Sequence, residues 1–129
     1  MTRPRATERP VKAPRLKFDL ADAIAQLRRE SAWATHSRSA VTLLKDRGMR
    51  VVLVGLHRDA TVEAHKAEGP ISVHVLSGAI RITAGGEELA LKAGQILTLE
   101  EGIEHDLHAD EESVFLLTIG GTASHPAER

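Results

Sequence analysis

The chemistry open to this chain rests on imidazole. It carries seven histidines and no cysteine, which removes disulfides, thiolate metal ligands and cysteine nucleophiles together. Imidazole titrates near neutrality and binds metal through a neutral ring nitrogen, so it can act as acid, base or ligand. Two of the seven stand out, His65 and His105. Each falls near a strand end or a turn. His105 alternates with Leu107 and Ala109, while Glu104, Asp106 and His108 share the opposite, polar face. His105 therefore points where a core should be. A lone histidine on an apolar face is more often a satisfied core residue than a ligand, so the pair gains weight only from the pattern around it.

Other reaction classes find little footing. Gly85-Gly86 and Gly120-Gly121 lack the spacing and the following helix of a phosphate loop. There is no G-x-S-x-G elbow. Glu87-Glu88, Glu100-Glu101 and Glu111-Glu112 are adjacent in sequence, diverge on strands and read as solvent charge. Tyrosine is absent, and Phe18, Trp33 and Phe115 are the only aromatics; they read as core or interface residues. His36, His57 and His125 have no constellation around them, and His108 reads as solvated or ion-paired.

The elements that must position the histidines are short. Asp19 can cap a helix over Leu20–Arg29, with Leu20, Ile24 and Leu27 on one stripe and Arg28 and Arg29 at the C-terminal end. From residue 39 the pattern becomes strand-like: Ala40–Lys45, Met49–His57, Ala60–Ala67, Ile71–Ser77, Ala79–Thr83, Glu87–Lys92, Gln95–Leu99, Ile103–Ala109 and Ser113–Ile119. Turns such as Asp46-Arg47-Gly48 and Gly69-Pro70 separate them. No helix lies between the strands, so parallel βαβ units are excluded and a sandwich or barrel is expected. Val51-Val52-Leu53-Val54 is apolar on both faces, which predicts a strand buried between two layers.

A chain of 129 residues fits one domain able to bury a core without staples. Residues 1–17 hold six basic side chains and one acid, so a total charge of −1 leaves −6 on the rest. Pro4, Pro10 and Pro14 oppose helix there, and a flexible basic tail is expected, with docking on the acidic body as the alternative. Deleting it is expected to leave the barrel folded. The charge gives no general attraction to nucleic acid, and the apolar runs are too short to span a membrane. Cytoplasmic placement fits the missing cysteines. The division expected is 1–17 basic tail, 18–38 helix and connection, 39–120 β-barrel, and 121–129 polar tail.

Two segments carry a family resemblance. The first, His65-Lys66-Ala67-Glu68-Gly69-Pro70-Ile71 through Gly78, resembles the first cupin motif, G-x5-H-x-H-x3-E-x6-G. Gly94, Glu100, Gly102, His105 and Ala109 resemble the second, G-x5-P-x-G-x2-H-x3-N, with Glu100 at the proline and Ala109 at the asparagine. The resemblance covers residues 40–120 and implies an all-β, cupin-type double-stranded β-helix (jelly-roll) barrel with one short N-terminal helix. Family metal sites use two histidines and a glutamate from the first motif and one histidine from the second. Here Ala67 stands at the second histidine and Ile71 at the glutamate, so His65 and His105 are the only ligands left. Glu63, two residues before His65, is a possible third ligand, although plain alternation puts Thr61, Glu63 and His65 on a solvated face opposite Val62 and Ala64. His74 faces away from Ile71, Val73 and Val75.

The resemblance thus implies a barrel cavity lined by Ile71, Val73, Val75, Leu107 and Phe115, with His65 and His105 as polar handles. The cofactor expectation is none, or one weakly bound divalent metal. The leading functional reading is a protein that binds an unidentified small molecule in the barrel. Next is an enzyme, either a metal-dependent oxygenase or isomerase, or a metal-free epimerase-like enzyme using histidine as general base. Third is a dimeric scaffold without a ligand. A homodimer is expected, with no nucleic acid or membrane partner; the outward His74, Ser72 and Leu76 offer it a surface.

Overall fold

The computed structural model describes residues 10–121; His125, most of the C-terminal tail and the first nine residues lie outside them. Helix α1 spans Leu20–Arg29 and a second helix, α2, spans Ser31–Thr35. The strands are β1 (Arg38–Lys45), β2 (Met49–Leu56), β3 (Thr61–His65), β4 (Ile71–Ser77), β5 (Ala79–Ala84), β6 (Glu87–Lys92), β7 (Ile96–Leu99), β8 (His105–Ala109) and β9 (Ser113–Gly120). They form two antiparallel sheets, ordered β1-β2-β9-β4-β7 and β3-β8-β5-β6. The jelly-roll expectation holds.

The core lies between the sheets. Val73, Val75 and Phe115 from one meet Ile80, Ile82, Leu91 and Leu107 from the other. A second cluster lies outside the larger sheet, where Ala23 and Leu27 of α1 pack on Val41, Leu43, Leu53 and Val114. This explains why β2 is apolar on both faces: Val54 and Leu56 face the barrel, while Val51 and Leu53 face the helix. Complete burial of Leu27 contributes on the order of 2 kcal/mol. Asp19 caps α1 as expected, accepting from the backbone N–H of Asp22 at 3.1 Å.

Several local expectations change. The third strand stops at His65 and the eighth begins at His105, because the loops beside them make other bonds. The N–H of Gly102 donates to the Ala67 carbonyl at 3.1 Å, tying the two motif segments together. Helix α2 occupies what the sequence presents only as a connection; five residues are too few to show a period. Its Trp33 stacks on His57, with ring centroids 3.7 Å apart, and the Trp33 carbonyl accepts from His57 Nε2 at 2.7 Å. His57 therefore has a constellation after all, as has His36, whose Nδ1 lies 2.8 Å from Thr35 Oγ1. Leu76, expected on a free surface, packs against the helix cluster instead.

Part of the basic tail is docked. Lys45 donates its backbone N–H to the Val11 carbonyl at 2.8 Å, and Lys12 Nζ lies 3.6 Å from Asp46. The alternative of docking on the body thus applies at Val11 and Lys12.

Candidate functional site

His105 is placed by regular strand alternation. In β8 His105, Leu107 and Ala109 are buried while Asp106 and His108 are not, so His105 enters the barrel at its open end. His65 arrives by a different route. Val62 pairs with Leu107 and His65 with His105, so three steps along β3 match two along β8. That extra residue is a β-bulge, which re-aims the side chains after it. The bulge sets His65 beside His105, where it stays exposed and still borders the recess of Thr61 and Glu63. The two rings touch, with centroids 4.4 Å apart and planes tilted by 58°.

Both rings are oriented in the same way. His65 Nδ1 lies 3.0 Å from the Glu63 carbonyl oxygen, and His105 Nδ1 lies 2.9 Å from that of Ile103. A carbonyl can only accept, so in each neutral ring Nδ1 carries the proton and Nε2 keeps its lone pair. Two such lone pairs, held by backbone, can receive a proton, a ligand hydrogen-bond donor or a metal ion.

The histidines line a cavity of about 570 Å³ at the barrel mouth. Ile71, Leu117 and Ile119 make its apolar wall, and Lys45, Arg50, Lys66 and Glu68 stand around it. Of the expected lining, Ile71 is there, whereas Val73, Val75, Leu107 and Phe115 are packed in the closed core instead. The reason is depth. Ile71 pairs with Ile119, Val73 with Leu117 and Val75 with Phe115, so each successive row sits two residues, roughly 7 Å, further from the mouth. Alternation gives the face of a residue but not its depth; Leu117 and Ile119 were missed for that reason.

The mouth is held by its own loop. Gly120 donates its N–H to the Pro70 carbonyl at 2.7 Å. A Cβ on Gly69 would stand 2.5 Å from the Gly120 carbonyl oxygen, so only glycine lets residues 66–70 lie down on β9. Three motif glycines, Gly78, Gly94 and Gly102, have positive φ. The first motif's opening glycine is Asp59 here, at φ 70. Asp is among the few residues that tolerate this conformation, so the substitution keeps the turn.

Glu63 does not join the histidines. It lines a second recess of about 660 Å³ with Ser37, Arg38 and Thr61, which His65 also borders and His105 does not. Among the described residues, no group of three His, Cys, Asp or Glu side chains is placed to hold a metal ion. Ala67 and Ile71 put carbon where the family places donors. Two imidazoles do not fit the usual protein-held centre of three or four ligands.

A second polar cluster lies on the outer face of β5 and β8. Arg81 Nε donates to Asp110 at 2.8 and 3.1 Å, and its other nitrogens reach Glu88 at 3.3 Å and His108 Nδ1 at 2.9 Å. The Arg81 hydrogen bond holds the Asp110 carboxyl below its ordinary value, and Arg81 is raised in turn, chiefly by Asp110. His108 belongs to this network, its Nδ1 accepting from Arg81, and Glu88 is paired with Arg81 rather than merely solvated. His74 lies on the outer face, since its neighbours Val73 and Val75 fill the core.

Comparison with known proteins accords with this geometry. Residues 52–120 match the profile of the cupin domain. No curated protein matches the sequence. Among solved structures, a conserved protein of unknown function from Streptococcus pyogenes is similar at 22% identity, covering 86% of this chain and 90% of that one, with a TM-score of 0.68. KdgF from Halomonas sp. is similar at 19% identity, covering 68% and 82%, TM-score 0.62. A point mutant of salicylate 1,2-dioxygenase from Pseudoaminobacter salicylatoxidans is 15% identical over 65% of this chain and 26% of that one, TM-score 0.62. At these identities the likeness is one of fold.

Proposed function

This chain belongs to the cupin-domain family, and on that footing we propose that it binds a small organic molecule in the mouth of the barrel, without a firmly held metal. The observation that carries this is the pair of Nε2 lone pairs at His65 and His105, beside an apolar wall, with Ala67 and Ile71 where further donors would stand. A hydroxyl or amine on the ligand donates to one imidazole or both, while its carbon skeleton lies on Ile71, Leu117 and Ile119. A cavity of about 570 Å³ is within the usual range for small ligands. A divalent ion taken up here has two protein nitrogens and otherwise water or ligand, and so binds weakly.

The same lone pairs favour a second reading, metal-free enzymatic chemistry with one histidine as general base. Turnover of a bound compound separates it from simple binding. A homodimer, proposed from the family, is read by sedimentation as a species of about twice the 14.0 kDa chain.

The test is a fragment screen followed by His65→Ala and His105→Ala. Each substitution is expected to abolish saturable binding while costing no more than about 2 kcal/mol of stability by urea unfolding. Severe unfolding with binding unchanged in the surviving folded fraction contradicts the proposal and makes the pair structural.

A further inference from the structure

Charge sits on the inner face of the barrel at its open end. Arg50 pairs across the sheet with Ile119, which pairs with Ile71, and Lys45 pairs with Arg50 on its other side. Directly paired antiparallel residues point to one face, so Lys45 and Arg50 start from the same row as the apolar wall. Inner positions of a barrel are ordinarily apolar; these two are cationic and line the mouth cavity. Lys66 adds a third cation from the loop after β3.

Few of the described residues answer them. Four cations line the cavity, Lys45, Arg47, Arg50 and Lys66, against two carboxylates, Asp46 and Glu68. Asp46 is already engaged by Lys12 at 3.6 Å and by the backbone N–H of Arg47 at 2.7 Å. Arg47 has an interaction of its own. Among the described residues, no carboxylate pairs with Lys45, Arg50 or Lys66. The mouth is therefore positive on a chain whose total charge is −1, and a cleft lined by one sign of charge concentrates the opposite ion.

We propose that the ligand of the mouth is a small organic carboxylate with an apolar body and a hydrogen-bond donor, its anionic end held by Arg50 and Lys45 and its donor by the histidine pair. This rests on the binding reading above and assigns its ligand class. Arg50 supplies a planar fork matched to a carboxylate, and Ile71, Leu117 and Ile119 take the hydrocarbon between the two ends.

The test uses two matched pairs of probes, 4-hydroxybenzoate with 4-hydroxybenzamide and 6-hydroxyhexanoate with 6-hydroxyhexanamide. Members of a pair differ chiefly in charge. Titrations of the full 15N-labelled chain follow the amides of His65, His105 and Ile119. The carboxylates are expected to bind roughly tenfold or more tighter than their amides. That preference is expected to vanish in the Lys45→Gln/Arg50→Gln variant and to shrink with added salt. Amides binding at the mouth as tightly as carboxylates, or a preference that survives the double variant, would overturn the carboxylate assignment while leaving the mouth a binding site. No saturable shift at the mouth from any of the four probes would overturn the assignment and count against the binding reading as well.

Discussion

The position of one proton on each histidine decides what the mouth can offer. With Nδ1–H donated to the Glu63 and Ile103 carbonyls, Nε2 is the free nitrogen of both rings. Long-range 15N–1H correlation spectra above neutral pH are expected to show the Nδ1–H tautomer for His65 and His105. An Nε2–H tautomer at either residue would remove its acceptor and with it the proposed hold on the ligand. His105 was readable as inward-facing because alternation through Leu107 and Ala109 is unbroken. His65 was not, since the bulge between Val62 and His65 leaves no mark in residue type; only the family spacing placed it. For Glu63 residue type left two readings open, a third ligand or a solvated face, and the structure leaves it exposed.

At the scale of elements, turns and alternation carry far. Strands β4 and β6 fall where the residues place them, as does α1 with its Asp19 cap. The sequence could not show depth within the barrel, nor the cross-strand network that joins β5, β6 and β8 through Arg81. That network has a pH signature. Asp110 is depressed below its ordinary value of 3.8 by Arg81, so it binds its proton less readily folded than unfolded. Its contribution is therefore present above that value and is lost as pH falls through the lower, folded one. Urea midpoints taken across the acid limb are expected to fall less steeply for Arg81→Ala than for the parent. Parallel acid limbs would show that the contact does not contribute to stability.

For the whole molecule, the barrel is closed by its own core and its mouth is braced from outside. Residues 10–17 hold the β1–β2 turn through Val11 and Lys12, and that turn carries Lys45, Asp46 and Arg47 to the cavity. Removing residues 1–17 is expected to leave a cooperative fold, about 1 kcal/mol weaker from the lost hydrogen bond and ion pair; collapse of the domain would mean that the brace is essential to the barrel. On the proposed reading the mouth is the functional end and the two histidines its centre, with an organic ligand as the occupant. Elemental analysis of protein expressed without an affinity tag and never exposed to chelator tests this most directly. The account predicts transition metal far below one ion per chain. Near-stoichiometric iron, zinc, manganese or nickel, lost on His65→Ala or His105→Ala, would contradict it.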